Sequence, residues 1–289
     1  MMPLPSGSCD CHVHVVGPQP IYPMIAERHY TPPPASVEDL RAHMARVGLT
    51  RAVVVQPSFY GFDNRCLLDS LRELGPAGRG VAVIDDAISD EELRSMSSQG
   101  VRGIRLNLES AGVRDPRSML AGLARWGERL APLGWHIQIY ASLGAIVKAA
   151  RQLGQLPVPV VLDHFAMVPS SPQNGDERID PVMALVRSGK AFVKLSAPYR
   201  ISAQTPAAQA AVARLAAQYL GANPERVLWG SDWPHTQREG GRLSHEVSAY
   251  RQVSSAELAQ GIEAWLPRAE LRERVLVKNP QALYRFDDG

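Results

Sequence analysis

Ala52-Val53-Val54-Val55, within residues 51–56, is an unbroken apolar run rich in β-branched side chains. A strand with one wet face alternates apolar and polar residues. An unbroken run suits a strand buried on both faces, as in a parallel sheet covered by helices. The flanks fit that setting. Upstream, Ser36-Val37-Glu38-Asp39 resembles a capping box with Asp in the Glu place; Leu40, Met44 and Val47 form one apolar stripe, and Gly48 ends the helix. Downstream, residues 63–74 put Leu67, Leu68, Leu71 and Leu74 on one helical side.

The same unit repeats along the chain. Strands are expected at residues 80–85, 101–108, 135–140, 158–165, 191–196 and 227–231. Between them lie helical stretches: one opened by Ser89-Asp90-Glu91-Glu92, one starting at Pro116, then residues 143–153, 181–187 and 206–220. Three further helices close the chain, over 256–265, 269–277 and 279–284. With a first strand running from Cys9 to Val16, this makes eight strands alternating with helices. Strict alternation implies a parallel sheet with right-handed crossovers, and eight units suit closure into a (β/α)8 TIM barrel. An open doubly wound sheet is the alternative, but the Gly-x-Gly-x-x-Gly phosphate loop it would carry after the first strand is absent. No linker or low-complexity segment interrupts the pattern, so residues 1–289 read as a single domain.

Composition narrows the function classes. The length of 289 residues suits one such barrel, which takes about 250. The formal charge of +2 comes with no basic block, so nothing asks for nucleic acid. The longest apolar runs are strand-sized, so no membrane partner is expected. Residues 1–8 lack the basic and apolar regions of a signal peptide. Three cysteines, Cys9, Cys11 and Cys66, suit a reduced, cytoplasmic setting. Cys-x-Cys-His could suggest a zinc cluster, yet no second cysteine pair follows. The oligomeric state is not set by any of these features.

The chemistry collects first in Cys9-Asp10-Cys11-His12-Val13-His14. In a regular strand residues i and i+2 share a face, so Asp10, His12 and His14 are expected together, with Cys11 and Val13 opposite. Three polar groups on a buried face are costly unless a reaction centre or a metal satisfies them. In a barrel the site lies at the C-terminal ends of the strands. Those ends carry His12 and His14, Gln56 and Ser58, Arg105 and Asn107, Tyr140, His164, Ser196 with Arg200, and Asp232 with His235. Histidines with an aspartate can bind a divalent metal such as zinc, or polarise a carbonyl and activate water without one. Asp232 is the natural general base. Arg105 and Arg200 are fixed cations suited to a carboxylate. The nucleophile elbow Gly-x-Ser-x-Gly is absent, which argues against a serine acyl-enzyme.

These motifs resemble the amidohydrolase superfamily, and more closely the branch containing 2-pyrone-4,6-dicarboxylate lactonase, sulfomuconolactone hydrolases and sugar-diacid lactone isomerases. The resemblance rests on Cys9 to His14, on Gln56-Pro57-Ser58 with Gly61-Phe62-Asp63-Asn64, and on Val101 to Asn107. It extends to Asp163-His164 and to Trp229-Gly230-Ser231-Asp232-Trp233-Pro234-His235. It implies a lactone substrate carrying acid groups, opened without a metal cofactor. Asp232 would activate water, and His12, His14 and His164 would polarise the carbonyl. Tyr30, Ser58, Arg105, Tyr140, Arg200 and His235 would hold the anionic lactone. Metal-dependent members place a histidine or carboxylated lysine at the end of strand five; here that position is Tyr140, and His136 lies near the strand's start. A further carboxylate-binding arginine of the pyrone lactonase falls on Ala111, with Arg114 three residues on.

Other readings use the same residues. An isomerase would capture a substrate hydroxyl in place of water. A metal-dependent hydrolase or decarboxylase would use His12, His14, His164 and Asp232 as ligands of one divalent ion. A non-catalytic barrel would only bind. Residues 169–178 and 236–254, rich in Gly, Pro and charge, are candidate lids over the barrel mouth.

Overall fold

The computed structural model describes residues 3–107, 116–170, 179–203 and 205–287. Its elements run β1 (Cys9–Val13), α1 (Val37–Val47), β2 (Arg51–Val55), α2 (Arg65–Leu74), β3 (Gly78–Ala82), α3 (Asp90–Ser98), β4 (Val101–Asn107) and α4 (Pro116–Leu130). They continue with β5 (His136–Tyr140), α5 (Leu143–Gln155), β6 (Val160–Leu162), α6 (Asp180–Arg187), β7 (Ala191–Leu195), α7 (Pro206–Ala222) and β8 (Val227–Trp229). Helices α8 (Ser255–Trp265), α9 (Ala269–Glu273) and α10 (Asn279–Tyr284) end the chain.

The strands pair in parallel and in chain order from β1 to β8. Closure is made just beyond β8, where His14 N–H donates to Trp233 O at 2.8 Å and Asp232 N–H donates to His12 O at 2.9 Å. The result is the (β/α)8 barrel expected from the alternation. The run in β2 divides as a doubly buried strand must: Ala52 and Val54 join the layer packed against the helices, whereas Val53 and Val55 join the barrel interior. Cys9, Cys11, Val81, Val161, Phe192 and Leu228 share that interior, together with Leu283 and Tyr284 of α10 and Phe286. Helix α10 therefore sits under the end where the strands begin, and Arg79 of β3 donates to Arg285 O at 2.9 Å there.

Local signals behave as read at α1. Ser36 caps it with the reciprocal Asp39 bond, and Gly48 ends it at φ 87°, the left-handed region glycine tolerates. Four strands are clearly shorter or shifted relative to expectation, β1 ending at Val13 and not at Val16. β3 stops at Ala82 because the Asn64 side chain takes both backbone groups of Val83, at 3.1 and 2.8 Å. β6 stops at Leu162 because residues 164–167 all turn to positive φ. β8 stops at Trp229, and the Asp10 carboxylate accepts the Ser231 N–H at 2.9 Å. The last helical stretch is broken by a π turn over residues 274–278.

Candidate active site

The first strand departs from regular alternation in a way that makes the site. Cys9 and Asp10 pair with Arg51 and Ala52, but Val13 already pairs with Val54, so β1 carries one extra residue. Such a bulge re-aims the side chains beyond it. Asp10 consequently does not share a face with His12 and His14, as the period-two reading expected. Its Oδ1 accepts the N–H groups of His12 (3.1 Å) and Ser231 (2.9 Å), and its Oδ2 lies 3.7 Å from His43 Nε2 on α1. Asp10 ties β1 to the end of β8. Gly230 serves the same junction: a Cβ there would stand 2.7 Å from His12 Cβ.

His12, His14 and His164 converge on one carboxylate oxygen. Their Nε2 atoms lie 3.6, 3.6 and 3.9 Å from Asp232 Oδ1. The other oxygen, Oδ2, accepts from Tyr199 OH at 2.8 Å and from Arg200 at 2.7 and 3.2 Å. Asp232 and its oxygen Oδ1 are buried, and Oδ1 has no hydrogen bond. Burial would raise its carboxyl pKa, but Arg200, His164, His14 and His12 outweigh that and hold it well below the usual carboxylate range. Burial pushes His12 down to about 3 and keeps His164 well below its ordinary value, so both imidazoles are neutral near pH 7.

Each imidazole is oriented through Nδ1. That of His14 lies 2.7 Å from the Val55 carbonyl, which can only accept, so His14 carries its proton on Nδ1. His164 Nδ1 is 2.8 Å from Ser196 Oγ. His12 Nδ1 faces a buried polar layer: Lys194 Nζ at 3.4 Å and Asp163 Oδ1 at 3.3 Å. Asp163 Oδ2 in turn accepts from Arg105 Nε at 3.0 Å and Gln138 Nε2 at 3.1 Å. By distance, His12, His14 and Asp232 are a group able to hold a metal ion, their ligand atoms lying within 4.8 Å of one another.

A pocket of about 200 Å³ opens onto this centre. His14, Ser58, Arg105, Tyr140, His164, Arg200 and Asp232, all from strand ends, line it together with Tyr30 of the β1–α1 loop. The Tyr140 ring lies beneath two guanidiniums, Arg105 at 5.1 Å and Arg200 at 5.8 Å. His12 sits behind this wall. His235 is set apart from the lining: a tight turn, closed by His235 N–H donating to Asp232 O at 2.7 Å, carries its ring toward His43 and Tyr199. From residues 236–254 come Thr236, Gln237 and Arg238 at the mouth, and Tyr30 OH donates to Thr236 at 3.2 Å. That segment is bonded to the β1–α1 loop through Ser248 N–H to Thr31 O at 2.8 Å. Ala111, Arg114 and residues 171–178 lie outside the described residues. His136 packs on Tyr284 of α10, at the opposite end of the barrel.

Sequence reasoning gave no site role to Asp163, Gln138, Lys194 or Tyr199, although Asp163 stands in the quoted Asp163-His164 motif. Two others carried a signal. Gln138 and Lys194 stand two residues before Tyr140 and Ser196, hence on the same strand faces, in otherwise apolar segments.

The fold and the polar strand ends define an amidohydrolase-type barrel enzyme. Residues 9–286 match the Amidohydrolase family, and the chain belongs to it as an enzyme of the hydrolase class. Among its relatives is the 2-pyrone-4,6-dicarboxylate hydrolase of Comamonas testosteroni, 34% identical over 97% of this chain and 91% of that protein. A 4-sulfomuconolactone hydrolase of Hydrogenophaga intermedia is 32% identical over 97% of this chain and 89% of that protein. A Pseudomonas putida structure, provisionally named a 2-pyrone-4,6-dicarboxylic acid hydrolase, superposes with a TM-score of 0.83 at 30% identity, covering 99% of this chain and all of that one. Among the described residues no helix is long and apolar enough to cross a membrane.

Proposed function

We propose that this chain is a metal-independent hydrolase that opens a lactone bearing acid groups. The observation that carries the reading is the asymmetry of Asp232. One oxygen is saturated by Tyr199 and Arg200; the other is bare, buried and ringed by three imidazole nitrogens. In this reading Arg105 and Arg200 take the substrate's carboxylates, and Tyr30, Ser58 and Tyr140 shape the pocket around the ring. Asp232 accepts a proton from the attacking water, whose oxygen bonds to the lactone carbonyl carbon. A histidine N–H stabilises the oxyanion that forms. Collapse breaks the ring C–O bond, and the proton held by Asp232 passes to the departing oxygen. The products are a carboxylate, with one proton released, and an alcohol or, from an enol lactone, an enol and its keto tautomer.

The charge inventory supports metal independence. Two buried carboxylates, Asp163 and Asp232, already face Arg105, Arg200 and Lys194. A dication would add to an excess of positive charge. Should one bind, His12, His14, His164 and Asp232 would hold it, and it would supply Lewis-acid polarisation of the carbonyl. Tyr140 at the end of β5, where metal-dependent members place a ligand, supports the same reading. Three buried, unpaired cysteines support a reducing cytoplasm, and the chemistry suits a ring-opening step of catabolism.

The test is turnover of metal-stripped enzyme on acidic lactones, the pyrone dicarboxylate, muconolactones and sugar-diacid lactones, run in ¹⁸O water with elemental analysis. Metal-free turnover with solvent oxygen in the product is expected. Turnover only after a divalent ion is restored would overturn the metal-free reading. A product without solvent oxygen would replace hydrolase by isomerase.

A further inference from the structure

Beneath His12 lies a lysine that the reaction above does not use. Lys194 stands in the middle of β7 and is wholly buried. A buried ammonium is costly unless every contact is matched, so its partners indicate its purpose. Its Nζ lies 2.7 Å from Gln138 Oε1, 3.4 Å from His12 Nδ1 and 3.8 Å from Asp163 Oδ1. The amide of Gln138 has one consistent orientation. Its Nε2 donates to Asp163 Oδ2 at 3.1 Å, so its Oε1 must accept from the lysine.

A neutral imidazole has one N–H and one lone pair. Two groups compete for His12 Nδ1, and they demand opposite tautomers. Asp163 Oδ1 needs a proton on Nδ1; the Lys194 ammonium, a donor without an acceptor site, needs the lone pair. Asp163 Oδ1 is 3.3 Å away but out of line for a hydrogen bond, and it has none. Lys194 is the partner that Nδ1 meets. With Lys194 as the donor to Nδ1, the proton of His12 falls on Nε2, which faces Asp232 Oδ1 across 3.6 Å. His14 has the opposite arrangement, because the Val55 carbonyl claims its Nδ1–H.

We infer that Lys194 is a positioning residue: it fixes His12 as the Nε2–H tautomer, which turns an N–H toward Asp232 Oδ1 at the reaction centre and denies a divalent ion one of its nitrogen lone pairs. The inference rests on the metal-free reading and gives it a cause. A metal needs a deprotonated nitrogen from each histidine it binds. The distances around Asp232 would suit an ion; the proton on His12 Nε2 does not.

The test compares wild type with Lys194→Met, which keeps the unbranched apolar stem and removes the donor, and Lys194→Gln, which keeps an N–H donor without the charge. In the Met variant Nδ1 is free to carry the proton, and Nε2 presents its lone pair to the centre. Expected results are a kcat lower by about 10² to 10³, as for loss of one oxyanion donor, with KM little changed, and stoichiometric zinc where stripped wild type retains none. In ¹⁵N-histidine NMR, the His12 proton should be on Nε2 in wild type and leave it in the Met variant. Lys194→Gln should keep the wild-type tautomer and recover part of kcat, which a merely space-filling lysine would not predict. Wild-type His12 protonated on Nδ1 would overturn the inference even if neither variant folds. So would a Met variant with wild-type kcat and no zinc. Wild type that is inactive without metal would instead defeat the reading on which the inference rests.

Discussion

Asp232→Asn separates the two oxygens of the central carboxylate. The amide is isosteric, and its carbonyl oxygen can keep the bonds from Tyr199 (2.8 Å) and Arg200 (2.7 Å). The NH2 group then replaces Oδ1, where the His14 Nε2 lone pair at 3.6 Å can accept from it. The fold should hold, but nothing remains to take a proton from water. Loss of a positioned general base costs about 10² to 10⁴ in rate, or ~2.7–5.4 kcal/mol of barrier. Binding should move the other way. In the wild type Arg200 is committed to Asp232, and its side chain is only 23% exposed. Opposite a neutral amide, the same guanidinium is more available to a substrate carboxylate. The expected signature is a large fall in kcat together with tighter binding, read from steady-state kinetics and from calorimetry with unreacted lactone. A variant within about tenfold of wild-type kcat would refute the base assignment. Weaker binding in the variant would refute the shared-arginine argument.

Arg238 is exposed at the pocket mouth, where it can meet a second acid group. Arg238→Ala should raise KM up to about fivefold for a lactone with two acid groups, the range of one exposed ion pair, and leave a monoacid unchanged. Equal effects on both substrates would remove Arg238 from substrate selection. His136, far from the pocket, is pushed down to about 3 by burial. An unfolded histidine titrates near 6.5, so below that pH the unfolded chain takes up a proton the folded chain refuses. Stability should fall with falling pH by about 1.4 kcal/mol per unit for this group. Buried His12, at about 3, and His235, at about 4, add slopes of the same sign. His136→Gln should flatten the dependence of Tm on pH between neutrality and about 4.5 while leaving catalysis intact. An unchanged slope would show that His136 is protonated in the fold.

The barrel was legible because its signals are local. The β2 run, the Ser36 and Ser89 capping boxes and the leucine stripe of α2 each specify their element without reference to distant residues. The pocket lining was legible for a topological reason. Once the strands are parallel and closed, all their C-terminal ends meet, and polar residues there must converge. What the sequence did not reveal depends on pairing between strands. The β1 bulge exists only relative to β2, and it alone decides that Asp10 leaves the group containing His12 and His14. The early stop of β3 depends in the same way on Asn64, nineteen positions before the backbone it bonds. Asp163, Gln138 and Lys194 come from the end of β6, from β5 and from β7, and they form a unit only inside the closed barrel.

The buried polar atoms without partners support the same functional reading. His12 Nε2, His164 Nε2 and Asp232 Oδ1 are all buried and unbonded, and they face one another. An unsatisfied buried polar group costs about 1–3 kcal/mol, so scattered errors of this kind are selected against. Three of them converging at one point, each held by a polar contact on its far side, is a different situation. Ser196 fixes His164, Lys194 fixes His12, and Arg200 with Tyr199 fixes Asp232. The far-side bonds prevent these groups from rotating to satisfy one another. The unmet hydrogen-bonding capacity is therefore directed at whatever enters the pocket, and a carbonyl with an approaching water supplies both the acceptor and the donor that this centre lacks.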